Sequence, residues 1–135
     1  MGKKKAHPYS YLPEKESYFH HSAFQLEIKE SQIPNAGKGV FTSTAIPNGS
    51  CIDLYYGISC RYPMSKYFIS LENESGIDAG NFPRCYTAMI NDVVGSQFTI
   101  NCEFIISNQT VSVYACKDIT PGEELFISYG DEYWK

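Results

Sequence analysis

The chain has no long hydrophobic run, no paired cysteines and little charge of either sign to spare. Without an unbroken apolar stretch there is no candidate transmembrane helix. Five cysteines stand at 51, 60, 85, 102 and 116. No two form a Cys-x-x-Cys pair, and no zinc cluster is visible. Their odd number and the absence of a leading signal segment predict reduced, mostly buried thiols and an intracellular protein. The asparagine triplets at Asn48, Asn73 and Asn108 then carry no glycan. A net charge of −4 and a pI near 5.3 argue against nucleic acid as the main partner and suit a basic peptide. No Ser/His/Asp set stands out. Gly37-Lys38-Gly39 lacks the helix and third glycine that a dinucleotide loop requires. Met1-Gly2 fails as an acylation site because residue 6 is alanine. His20-His21 finds no third ligand, and adjacent histidines point apart on any regular element, so no metal site is expected.

What the chain does have is aromatic residues: 11 Tyr, 8 Phe and 1 Trp among 135 residues, punctuated by 10 Gly and 7 Pro. That mixture favours strands. At 43% hydrophobic the chain supports one domain with a real core. Residues 1–23, with the charge run Lys3-Lys4-Lys5, read as an N-terminal arm, and residues 24–135 as the domain. Phe24 to Lys29 alternates apolar and polar and predicts a half-buried strand. Further strands are predicted from Val40, over Cys51–Gly57 and over Tyr67–Leu71. Cys102–Ile106 and Thr110–Ala115 form a hairpin around Ser107-Asn108-Gln109. Tyr86–Ile90 can make a helical turn or two. Turns recur every eight to twelve residues, which predicts a compact, mainly β fold of many short strands.

The closing stretch Gly122-Glu123-Glu124-Leu125-Phe126-Ile127-Ser128-Tyr129-Gly130 reads as a turn followed by a short buried strand. A tyrosine delivered beside a glycine suits chemistry, and it equally suits a packed C-terminal core strand.

Four segments in order decide between these. They are Gly37-Lys38-Gly39-Val40-Phe41, Ile77-Asp78-Ala79, Met89-Ile90-Asn91-Asp92 with Ile100-Asn101-Cys102, and Gly122 to Asp131. Together they resemble the motifs of the SET-domain protein lysine methyltransferases, especially the small stand-alone viral-type members without zinc-binding flanks. The resemblance covers about residues 24–134. It implies several small short-stranded β-sheets with a C-terminal pseudoknot, the Asn91-Asp92 and Tyr129-Gly130 pairs side by side. It also implies S-adenosylmethionine on one face, a lysine-containing peptide on the other, and a narrow channel between them.

By the same resemblance Tyr129 is the catalytic tyrosine, and Tyr55, Phe104 and Ile127 line the lysine channel. Each of the last three also suits ordinary strand core. Lys38, Gly39, Asn91, Asp92, Tyr129, Tyr133 and Trp134 contact the cofactor, although Trp134 also suits a terminal aromatic packed on the core. Apolar residues at 104 and 127 imply capacity for di- or trimethylation. A histone tail is the implied substrate, with a nuclear location following from it. The sequence departs from the family where its His is Asp92, its Ser-Cys is missing and nine residues separate Asn91 from Asn101. Those departures keep open a degenerate SET domain that only binds protein, and a methyltransferase for a non-histone protein. With no cysteine-rich flank, the channel is closed by Tyr133-Trp134, by the arm or by a second subunit in a homodimer.

Overall fold

The computed structural model describes residues 15–130. Ten short strands run in chain order: β1 Tyr18–Phe19, β2 Leu26–Glu30, β3 Lys38–Thr42, β4 Cys51–Leu54, β5 Ile58–Cys60, β6 Phe68–Leu71, β7 Ser75–Asp78, β8 Arg84–Cys85, β9 Cys102–Ser107 and β10 Thr110–Ala115. They form four small sheets, β4-β10-β9, β5-β7-β6, β2-β3 and the parallel pair β1-β8. One 3-10 turn, Tyr86–Met89, interrupts them. The fold is mainly β, as the aromatic, turn-punctuated sequence predicts. Among the described residues no helix is long and apolar enough to cross a membrane.

The alternation in β2 is that of a half-buried strand, with Leu26 inside and Glu27 and Lys29 outside. β10 alternates as well and buries Val111, Val113 and Ala115. The hairpin β9-β10 turns at Asn108, whose φ of 56° is a left-handed value that asparagine tolerates. The main core gathers Leu26, Val40, Ile46, Ile52, Ile90, Val113, Ile119, Leu125 and Ile127. A second cluster forms around Tyr55, Leu71, Ala79, Cys85, Ala88 and Val111.

Two expectations need correction. The closing stretch is not a strand of any sheet. It is a threaded segment that bridges β3 at Phe41↔Glu124 and the 91 region at Asn91↔Phe126. Its backbone is shared out among several partners: Thr42 N–H donates to the Glu123 carbonyl, Leu125 N–H to Val40, Ile127 N–H to Asn91, and Asn101 and Cys102 N–H both to Phe126. No single neighbour offers it a continuous ladder, so it cannot extend into a strand. The thiols are all free, but only Cys85 and Cys102 are buried, while Cys51 is exposed. Cys51 begins β4, and its neighbour Ile52 takes the inward position.

Residues 15–22 lie along the body. β1 pairs with β8, the Phe19 ring packs on Tyr56, and His21 N–H donates to the Asp53 carboxylate at 2.8 Å. The first fourteen residues, including Lys3-Lys4-Lys5, lie outside the described residues.

Asp78 at the end of β7 is 2% exposed and holds the loop before β6. It accepts the N–H groups of Met64 and Ser65 at 2.8 Å, the Ser65 hydroxyl at 2.7 Å and Gly80 N–H at 2.9 Å. Burial alone would raise its pKa. The Ser65 hydroxyl and the backbone N–H groups of Gly80, Met64 and Ser65 outweigh that and hold the carboxyl below its ordinary value. A depressed folded value contributes stability that is complete above the unfolded pKa of about 3.9 and is lost as pH falls through the folded one. Urea midpoints taken from pH 6 down to pH 3 should therefore fall below about pH 4. In Asp78→Asn, part of that acid-dependent drop should be gone and the midpoint should already be lower at pH 6.

Candidate active site

A cavity of about 680 Å³ opens between the loop before β3, the arm and the threaded segment. Its lining includes Gly37, Lys38, Asn91 and Asp92 together with the aromatic residues Tyr55, Tyr67, Phe104 and Tyr129. A polar region is thus continuous with an aromatic one. The volume lies within the roughly 300–1,000 Å³ range of small-molecule sites.

Tyr129 reaches the cavity because the threaded segment ends there. Its hydroxyl donates to the Ile90 carbonyl at 2.7 Å, and its N–H donates to the Asp92 carboxylate at 2.7 Å. Asp92, 8% exposed, also receives Val94 N–H at 3.0 Å. The residue that departs from the family pattern thus grips the backbone of the candidate catalytic residue across 37 positions of sequence. Asn91 lines the polar side, and its amide donates to the Lys38 carbonyl at 3.0 Å. That bond ties β3 to the 91 region next to Tyr129.

On the aromatic side Tyr55 is buried, while Tyr67, Phe104 and Tyr129 are half-buried. Tyr55 is 6% exposed and donates to the Tyr67 carbonyl at 2.7 Å. Burial, followed by the proximity of Cys85 and Tyr129, pushes its phenol well above the ordinary value, so it stays neutral and acts as a wall. The Phe104 ring meets Tyr55 edge-on, with centroids 6.0 Å apart. The Asp78-held loop leads directly into Tyr67, whose N–H donates to the Ser65 hydroxyl oxygen at 3.0 Å.

Ile127 is fully buried in the main core and is not among the lining residues. Gly39 does not line the cavity either. A Cβ built on it would lie 2.2 Å from the Glu124 carboxylate and 3.1 Å from the Asn91 amide. Its missing side chain therefore makes room for two polar side chains. Tyr133 and Trp134 lie outside the described residues. The structure thus brings together Lys38, Tyr55, Asn91, Asp92, Phe104 and Tyr129 around one cavity.

Several lining residues carry no signal of their own in the sequence. Glu16 and Tyr18 of the arm form part of the rim. The Glu16 carboxylate accepts from Lys38 Nζ at 2.7 Å and from the Tyr18 hydroxyl. The Lys38 hydrogen bond holds the Glu16 carboxyl below its ordinary value, and burial with the Glu16 bond pushes Tyr18 up to about 12. Arg84 is sandwiched between the Tyr67 and Phe82 rings at 4.1 and 4.3 Å. No described group of His, Cys, Asp and Glu side chains is arranged to hold a metal ion.

A family model for the SET domain matches residues 37–130. Solved structures similar in fold include a chain of the Chaetomium thermophilum polycomb repressive complex 2, at a TM-score of 0.69 and 24% identity. Another is a chain of ctPRC2 in an autoinhibited conformation bound to S-adenosylmethionine, at 0.66 and 24%. Each comparison covers 82% of this chain and 16% of the other. No curated protein shows significant sequence similarity to it.

Proposed function

Because the chain belongs to the SET-domain family, we propose that it is an S-adenosylmethionine-dependent protein-lysine N-methyltransferase acting on a lysine-rich tail, of which a histone tail is the first candidate. The observation that supports this best is the convergence of Tyr129, Asn91, Asp92, Tyr55 and Phe104 on one cavity. The cofactor suits it in size and in chemistry. The lining offers the Lys38 backbone and the Asn91 amide to an amino-acid moiety, and Asp92 and the aromatic residues line the same cavity. When bound, S-adenosylmethionine supplies the electrophilic methyl group.

The chain's own residues do the rest. A lysine ammonium, with a pKa of about 10.4 in water, must arrive neutral. Tyr55, Phe104 and Tyr67 strip water from it, which disfavours the charged form. Tyr129, which lines the cavity and whose hydroxyl donates to the Ile90 carbonyl, orients the amine. Since Asp92 fixes the Tyr129 backbone, the hydroxyl is held in place before substrate binds. Incorporation of labelled methyl into a histone mixture tests the proposal. Absence of both transfer and cofactor binding would sink it. Transfer to cell extract but not to histones would redirect it to a non-histone substrate.

Phe104 gives the cavity an apolar end, which leaves space for a partly methylated amine to turn. We therefore expect di- or trimethyl product from the wild type. Phe104→Tyr adds a hydroxyl able to hold a water there, and mass spectrometry of the product should show a shift toward monomethyl-lysine.

A further inference from the structure

Glu124 is 2% exposed, yet its carboxylate reaches outward to a loop rather than inward to the core. Its Oε2 accepts the Ser31 hydroxyl at 2.6 Å, and its Oε1 accepts Gln32 N–H at 2.9 Å and the Gln32 side-chain amide at 3.3 Å. Ser31 Oγ accepts Ile33 N–H at 3.1 Å in turn. The grip therefore passes from Glu124 through Ser31 into the loop of residues 31–37. That loop closes on itself through Ser31 N–H to the Gly37 carbonyl at 2.8 Å. Its residues 33–37, followed by Lys38, form a wall of the cavity. Most of them are exposed, and Asn35 and Gly37 hold left-handed backbone angles. Among the described residues, the hydrogen bonds that tie residues 31–37 to a distant part of the chain are those to Glu124.

The other end of Glu124 belongs to the threaded segment. Its carbonyl accepts the Asn101 amide at 2.9 Å, and Tyr129 follows five residues later. One residue thus couples the wall beside Lys38 and Asn91 to the segment that carries Tyr129. Gly39 is the contact point, since any side chain there would displace the carboxylate.

We propose that Glu124 is a positioning residue for the cofactor end of the cavity, acting through Ser31 and Gln32 to hold the loop of residues 31–37. The inference rests on the methyltransferase reading and on the cofactor binding beside Lys38 and Asn91. It predicts a split effect. Glu124→Ala should raise both the Kd and the KM for S-adenosylmethionine about tenfold while kcat at saturating cofactor stays near that of the wild type. Glu124→Gln should restore most of the affinity, because the amide oxygen can take both Gln32 donors and the Ser31 hydroxyl can reverse to accept. Ser31→Ala keeps the carboxylate and should give a smaller rise, about threefold, on the same scale. Hydrogen exchange at the amides of Ile33, Asn35, Ala36, Gly37 and Lys38, measured without cofactor, should quicken in Glu124→Ala and Ser31→Ala but not in Glu124→Gln.

A general loss of folding would lower the active fraction, and with it kcat, while KM stayed put. That pattern in folded variants overturns the proposal, as does unchanged affinity in both Glu124→Ala and Ser31→Ala. If Glu124→Ala does not fold, Ser31→Ala and Glu124→Gln decide. If the wild type binds no S-adenosylmethionine, the methyltransferase reading fails and the exchange experiment still judges the clamp: equal loop exchange in all variants disproves it.

Discussion

Tyr129→Phe should lower the rate of methyl transfer on the order of 100-fold, a typical cost of deleting one aimed polar group at a reacting centre. The change removes one oxygen and no packing surface. The ring stays between the threaded segment and the 90 region, and Asp92 still holds the backbone N–H. What goes is the hydroxyl proposed to orient the amine, together with its hydrogen bond to the Ile90 carbonyl at 2.7 Å. In folding that bond is worth about 1 kcal/mol, too little to unfold the domain. In the barrier a 100-fold loss corresponds to about 2.7 kcal/mol. Labelled methyl transfer and calorimetric titration with S-adenosylmethionine, run on the same preparation, separate the two. Loss of transfer with cofactor affinity kept within about twofold is the expected result. A Phe variant as fast as the wild type would remove Tyr129 from the chemistry.

Asn101→Ala should produce the largest loss of stability. Asn101 is 7% exposed and uses both ends of its amide on the threaded segment. Its Nδ2 donates to the Glu124 carbonyl at 2.9 Å and its Oδ1 accepts Phe126 N–H at 2.8 Å. Alanine leaves a buried carbonyl and a buried N–H without those partners, a cost of about 1–3 kcal/mol each. The total of about 3 kcal/mol or more is a large share of the roughly 5–15 kcal/mol that holds a domain together. A fall in melting temperature of about 10 °C follows. Asn101→Asp separates geometry from packing. It keeps the acceptor for Phe126 but turns an oxygen toward the Glu124 carbonyl, so it should destabilise despite its near-identical shape. A melting temperature within about 2 °C of wild type for Asn101→Ala would mean the segment is held elsewhere.

How far the sequence could be read depended on whether the relevant force was local. The hairpin Cys102–Ser107 and Thr110–Ala115 was legible because alternation and a turn at Asn108 lie within fourteen residues. The helical turn at Tyr86 and the strand at Leu26 were legible for the same reason, to within two residues at their ends. The closing segment was not. Leu125-Phe126-Ile127 has the composition of a strand, but what shapes it are bonds to Val40, Asn91 and Asn101, far away in sequence. Tyr129, Tyr55, Phe104, Asn91 and Asp92, singled out by motif order, line one cavity. Ile127 packs in the main core instead of among the lining residues, a placement that alternation along a threaded segment does not reveal. At Gly39 the space a side chain would fill is occupied by Glu124 and Asn91, which lie 85 and 52 positions away in sequence. The rim role of Glu16 was invisible because it depends on Lys38, 22 residues on.

The threading also bears on how the protein reaches its native state. Glu124 meets Ser31 across 93 positions, Tyr129 meets Ile90 across 39, and Asn101 meets Phe126 across 25. Contacts of such sequence separation form late, because loop-closure entropy is lost before any of them is gained. The hairpins β2-β3 and β9-β10 can assemble first and present a slot. The closing segment then has to enter it, and only that entry places Tyr129 beside Ile90. In a refolding experiment, S-adenosylmethionine binding should therefore appear with the slowest phase and lag behind the recovery of β structure.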